Sequence, residues 1–197
     1  MPPRAARSGG DVLAAYREAF DATRPGLVVA HSNAGLVAPA VAGGTPLVFV
    51  DAALPPASGE SPMAPPAMLG HLDALVGDDG LLPPWTRWWG EDDVAPLFPD
   101  RSARAGVEAS EPRLPLGYFR TTVPVPEGWQ SGPCAYLAFG GTYAVELARA
   151  RRLAWPVAQL QGALHLHFLH DADGVVARVL ELASALDGHD AGASGPV

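Results

Sequence analysis

The chain has one cysteine, Cys134, which excludes an internal disulfide and suits a reducing compartment such as the cytoplasm. Positive charge is scarce as well. Thirteen Lys and Arg against 21 Asp and Glu leave a formal charge of −8, with no basic cluster to interrupt the deficit. That argues against nucleic acid and anionic membrane as partners. No run approaches the ~18 apolar residues of a bilayer-crossing helix. Met1-Pro2-Pro3-Arg4 has no apolar stretch behind its charge, so no secretory signal is expected. There is no internal repeat and no glycine-rich phosphate loop, so no organic cofactor is expected.

Core material, by contrast, is plentiful. With 48 % hydrophobic residues over 197 positions, the chain suits one soluble domain with a real core. Its Ala, Gly and Pro richness suits a GC-rich bacterial genome better than disorder. Asp11 is the expected N-cap of an amphipathic helix reaching about Ala22, with Val12, Leu13, Tyr16 and Phe20 at helical spacing. Leu27-Val28-Val29 reads as a short buried strand and Gly35 to Ala42 as a helix too apolar to face water. Leu47-Val48-Phe49-Val50 is a second apolar strand, ending at Asp51. Residues 52 to about 130 differ in kind. Rich in Pro and Trp and without a strand pattern, they read as short helices joined by turns, among them Met68 to Val76 and Leu114 to Phe119. A third strand, Ala135 to Phe139, leads into a helix from Tyr143 to Arg151, and a fourth, Val157 to Leu160, leads to His165. The last helix is expected to bury Val175, Val176, Val179, Leu180, Leu182 and Leu186, and residues 187–197 read as a loose tail.

Between the first strand and its helix stands Ala30-His31-Ser32-Asn33-Ala34-Gly35. A serine at a sharp strand-to-helix turn needs small residues two before and two after it, and Ala30 and Ala34 hold those places. Such a turn exposes the hydroxyl and gathers free backbone N–H groups beside it, a pattern written G-x-S-x-G, here with alanine for both glycines. An ordinary β-turn-α with an incidental serine has the same local pattern.

The order Ser32, Asp51, His165, each at the C-terminal end of a predicted parallel strand, resembles the α/β-hydrolase fold family. The resemblance runs from about Leu27 to Leu186. It implies an α/β fold whose short, mostly parallel sheet is the C-terminal half of the family's sheet. Residues 1–51 and 131–186 would form the core, and 52–130 a helical cap inserted over the site. Family members carry strands ahead of the elbow, and none is legible in Met1 to Gly26. The loop that supplies half of the usual oxyanion hole is therefore absent, and the first strand becomes an exposed apolar edge. The chain is expected to be an N-terminally shortened relative, with that edge covered by a homodimer partner or by the Asp11 helix.

The resemblance also implies roles. Ser32 would be the nucleophile, His165 its base, and the Asn33 backbone N–H the oxyanion donor; His167 is the alternative base. The family's usual acid position, Phe139-Gly140-Gly141-Thr142-Tyr143, holds no carboxylate. Some relatives, the haloalkane dehalogenases among them, carry the acid after the preceding strand, where this chain has Asp51. Asp51 stands open between triad acid and strand-end capping group, and Glu146 lies too far along its helix to serve. His165-x-His167-x-x-His170 mimics a metal spacing, but Leu169 stands where an aspartate ligand belongs, so no metal is expected. His31 reads as a packing group turned away from Ser32, and Glu91-Asp92-Asp93 as a solvated face or helix cap. Trp85, Trp88, Trp89 and Phe119, with Phe98 and Tyr118, form the cap's own core or line an aromatic pocket for a small-molecule substrate. The implied activity is ester hydrolysis on a small apolar or aromatic substrate. A non-hydrolytic lyase or cyclase of secondary metabolism, or an inactive binding member, are the alternatives.

Overall fold

A computed structural model describes residues 6–190, with side chains through 186. The expected absence of a signal in Met1 to Arg4 falls outside the described residues. The helix α1, Gly9–Thr23, starts one turn earlier than expected. Ser8 is its N-cap, and Asp11 completes a capping box by accepting from the Ser8 backbone N–H. Next come β1, Val28–Ser32, a 3₁₀ turn over Asn33–Leu36, and α2, Ala38–Ala42. The single apolar helix expected over 35–42 is thus two pieces.

Then comes β2, Leu47–Ala52, and beyond it the first element that the Pro-rich segment concealed: β3, Gly59–Pro62. The short helices α3, Pro66–Asp73, α4, Glu91–Val94, α5, Arg101–Ser110, and α6, Leu116–Phe119, follow. β4, Thr122–Val125, returns antiparallel to β3. The expectation of no strand in 52–130 is therefore wrong. Pro62 and Pro124 interrupt the β pattern, and two-stranded ribbons tolerate proline on their free edges. β5, Cys134–Phe139, α7, Ala144–Arg152, β6, Val157–Leu160, and α8, Ala172–Asp190, complete the chain. α8 runs four residues into the segment expected as a loose tail, and 191–197 fall outside the described residues.

The main sheet has the order β1-β2-β5-β6, and every pair is parallel. Its two central strands are buried on both faces, so they read as unbroken apolar runs, yet their residues still alternate sides. Phe49, Tyr136 and Ala138 face one core with Ala38 and Ala42 of α2 and Leu147 and Ala150 of α7. Val48, Val50, Leu137 and Phe139 face the other, against Val175, Leu182 and Leu186 of α8. Phe49 is fully buried and stacks on Trp155 with centroids 5.7 Å apart. Side chains of this kind each contribute about 1.5–3 kcal/mol by burial. On α8, Val176 and Leu180 are exposed rather than buried, because a helix on a flat sheet presents only one stripe.

β1 is an edge strand, and its Val29 is 50 % exposed. α1 does not cover it. Val12 and Leu13 instead join a third core with Met63, Leu72, Trp88 and Phe119 from the segment between β2 and β5, and Arg17 reaches the Ala40 carbonyl of α2. No helix of the described residues is long and apolar enough to cross a membrane.

Candidate active site

Ser32 ends β1 where the register against β2 slips, with φ 58° and ψ −132°. A non-glycine residue in this left-handed region carries strain, and the surrounding contacts must hold it there. They do so from both sides. The Ala53 N–H donates to the Ser32 carbonyl at 3.1 Å, and Gly35 packs so closely beneath the turn that a Cβ there would lie 2.1 Å from the Ala53 oxygen. The 3₁₀ turn begins at Asn33, so the Asn33 N–H has no acceptor within the turn. The Asn33 side chain anchors the elbow by donating to the Met63 carbonyl at 3.2 Å.

Asp51, at the end of β2, also has a positive φ of 41° and is completely buried. Tyr136 fixes the chain there, since its hydroxyl bonds both the N–H and the carbonyl of Ala52. The Asp51 carboxylate is thereby pinned. Oδ1 accepts from the Phe139 N–H at 3.1 Å and Oδ2 from His165 Nδ1 at 2.7 Å. A carboxylate only accepts, so the His165 proton sits on Nδ1 and Nε2 is left as an acceptor. Nε2 lies 3.0 Å from Ser32 Oγ. Three residues spread over 134 positions thus form one chain of hydrogen bonds, hydroxyl to imidazole to carboxylate, at the C-terminal ends of β1, β2 and the loop after β6. This arrangement is able to draw a proton from a serine hydroxyl.

A cavity of about 910 Å³ opens over Ser32 and His165. Trp85, Trp88, Trp89, Tyr118 and Phe119 line it, together with Leu36, Val37 and Met68. Trp85 lies 6.3 Å from the His165 ring and 5.4 Å from that of Trp89. The aromatic segment after β2 is therefore both core and cavity wall. Phe98 packs with Val94 and Leu166 beside it.

No protein-family model and no curated protein matches the sequence. Comparison with solved structures is informative. Tomato methylketone synthase I, as its H243A variant complexed with β-ketoheptanoate, superposes with a TM-score of 0.67 at 14 % identity, over 92 % of this chain and 79 % of that one. An extracellular α/β-hydrolase from a Paenibacillus species superposes at 0.60 with 13 % identity, over 90 % and 80 %. A carboxylesterase from the thaumarchaeon Nitrososphaera gargenis gives 0.57 with 11 % identity, over 93 % and 74 %. The chain has the α/β-hydrolase fold.

Within that fold, strands before the elbow are missing among the described residues, and the main sheet retains four. His31, expected to turn away from Ser32, stacks on His165 with ring centroids 4.5 Å apart, and its Nε2–H donates to the His165 carbonyl at 2.9 Å. Burial, with the neighbouring His165 second, pulls the His31 imidazole down to a pKa of about 3, so it stays neutral. It acts as a brace for the His165 loop. His167 packs on Phe139 and His170 bonds the Leu97 carbonyl, so neither replaces His165. Among the described residues no three His, Cys, Asp or Glu side chains gather as a metal site. Glu146 lines the cavity without bonding His165, and Glu91 pairs with Arg104. Sequence reasoning missed the polar groups buried in the wall. Ser61 is completely buried, its hydroxyl without a partner, and Glu111 bonds Thr86 through one oxygen while the other is orphaned. Nothing in the local pattern marks either position.

Proposed function

We propose that the protein is a serine hydrolase, esterase-like, that cleaves small apolar or aromatic esters through an acyl-enzyme on Ser32. The observation that carries this reading is the continuous Ser32–His165–Asp51 relay, at 3.0 and 2.7 Å. His165 Nε2 takes the Ser32 proton as Oγ attacks the ester carbonyl. The Asp51 carboxylate stabilises the imidazolium that results. The Asn33 N–H donates to the oxyanion. Collapse of the tetrahedral intermediate expels the alcohol, which takes the proton back from His165, and water repeats the sequence to release the acid. The cavity selects by fit, since its tryptophan and leucine walls reward apolar and aromatic groups. The single thiol fits a cytoplasmic setting, and a homodimer that pairs β1 edges fits the free strand.

The test is intact-mass analysis after incubation with a fluorophosphonate, with Ser32→Ala and His165→Ala alongside. One adduct on Ser32, lost in both variants, is the expected result. No adduct from folded wild-type protein refutes the reading. The likeness to a methylketone synthase favours a second reading, a non-hydrolytic lyase or cyclase. Substrate turnover in ¹⁸O-water separates the two, because hydrolysis puts the label into the acid product and a lyase does not.

A further inference from the structure

The cavity over Ser32 is walled mostly by apolar side chains, and the formal charges in that wall have one sign. Asp93, Glu111 and Glu146 line it, and among the described residues no Lys or Arg does. None of the three carboxylates belongs to an ion pair among the described residues. Asp93 is exposed, so water screens it. Glu111 is placed differently. It is half-buried and caps the C-terminus of α5, where the free carbonyls of the helix already concentrate negative charge. Its Oε2 accepts from the hydroxyl of the buried Thr86 at 3.0 Å, while Oε1 is buried without a partner. Arg104, on the same helix, is held by Glu91 and Glu108 instead. Burial raises the Glu111 carboxyl above the usual range. A carboxylate so placed costs stability, and the fold supplies one hydroxyl to offset it. Titratable groups held at such a cost gather at functional sites, where a ligand provides the missing partner. Thr86 stands next to Trp85, whose ring lies 6.3 Å from that of His165. Trp85 thus joins the reacting centre to the Thr86–Glu111 pair, and Val94, Leu97 and Val107 complete this part of the wall.

We propose that the substrate is an apolar or aromatic ester carrying a protonated amine away from the scissile bond, and that Glu111 is the specificity-determining residue that binds the ammonium. The ester half of this rests on the serine-hydrolase reading, and the amine half names the charge its substrate carries.

An ammonium N–H donates to Oε1 while the Thr86 hydroxyl keeps Oε2, so both oxygens are satisfied. The terminal carboxyl torsion of a glutamate is soft, which lets the group turn toward the cavity without moving the backbone. The indoles of Trp85 and Trp89, with centroids 5.4 Å apart, offer electron-rich faces to the same cation. The C-terminus of α5 adds its dipole with the sign that favours positive charge. At −8 the chain as a whole attracts a cation from a distance. An anionic substrate meets the reverse in each respect. No bond forms or breaks at this end of the substrate, so the interaction is the same before and after attack on the ester. Its loss raises KM and leaves kcat nearly unchanged.

The experiment pairs cationic with neutral probes. 4-(Dimethylaminomethyl)phenyl acetate is protonated at pH 7, and 4-isobutylphenyl acetate has the same shape without the charge. Dimethyl(3-phenylpropyl)amine and N,N-dimethyl-3-phenylpropanamide form the matching pair for calorimetry, which needs no turnover. Wild type should favour the cationic member of each pair by about tenfold or more, and Glu111→Gln should lose about tenfold on the cationic ester, in KM, with the neutral ester within about threefold. The glutamine keeps an acceptor for Thr86 and removes a buried charge, so the variant is expected to fold. Equal losses on both esters would mean a structural role only and overturn the assignment. Wild type that binds the neutral amide as tightly as the amine overturns it without any variant. Fluorophosphonate labelling of Ser32 in the same preparation separates the two readings. An adduct on Ser32 with no charge preference leaves the hydrolase and removes the amine subsite. A charge preference that depends on Glu111, with no adduct, removes the hydrolase and leaves the subsite.

Discussion

Asp51→Asn is the substitution whose outcome the hydrogen bonds dictate most closely. Asn has nearly the same shape, and one of its two positions must meet the Phe139 N–H that Asp51 Oδ1 now accepts at 3.1 Å. Only the amide oxygen can accept there, so the NH₂ is forced to face His165 Nδ1. Nδ1 must then become an acceptor, and the proton moves to Nε2, where it points at Ser32 Oγ instead of receiving from it. The base is lost while the fold and the Phe139 contact remain. By analogy with other serine triads in which the acid is made an amide, the loss is about 10³–10⁴ in kcat, which is about 4–5.5 kcal/mol of barrier. The assay is kcat on an activated ester, with the melting temperature as a check on folding. A variant that melts like wild type and loses less than about tenfold refutes Asp51 as the group that sets the His165 tautomer.

Three further outcomes follow from other contacts. Gly35→Ala places a Cβ against the Ala53 carbonyl, so the elbow must shift. A destabilisation of about 3 kcal/mol in urea unfolding is expected, and a melting temperature equal to wild type would show that the turn has room. His31→Gln keeps a donor for the His165 carbonyl but does not titrate. The folded pKa of His31, about 3, is depressed, so its stabilising effect is full above the ordinary histidine range and drains away as pH falls. Wild type should therefore lose about 2 kcal/mol more than the glutamine variant between pH 7 and pH 5, and parallel urea curves at the two pH values would contradict a neutral His31. For Glu111 the sign reverses. Burial raises its carboxyl above the usual range, so its contribution is present in acid and lost as pH rises. Glu111→Gln should melt higher than wild type at pH 7 and lose that advantage near pH 4, and an equal offset at both pH values would argue against the buried charge.

Much of the fold was legible because its signals are local. Phe49 and Val50, or Tyr136 and Leu137, sit in apolar runs too short for helices. The small residues around Ser32 announce a tight turn whatever follows it. β6 is read at its true bounds, Val157–Leu160, because a proline and a glycine punctuate it. β3 and β4 were not legible, since a two-stranded ribbon with prolines has no period to detect and exists only because each strand has the other. The exposure of Val176 and Leu180 was equally hidden, because which stripe of α8 is buried depends on the angle at which it crosses the sheet.

At the site the division is sharper. The order of serine, carboxylate and histidine along the chain, each at the end of an apolar strand, belongs to the sequence. So does the lack of an acid between Phe139 and Tyr143. Which carboxylate faces His165 was decided 114 residues away from it, by the parallel pairing of β2 with β5 and by the Phe139 N–H and Tyr136 hydroxyl that hold the end of β2. The stacking of His31 on His165 and the approach of the Tyr143 ring to the same histidine are likewise products of packing. Side-chain type and short-range period are written residue by residue. Hydrogen-bond partners between distant segments exist only once burial has brought those segments together and left each polar group a limited choice of neighbours.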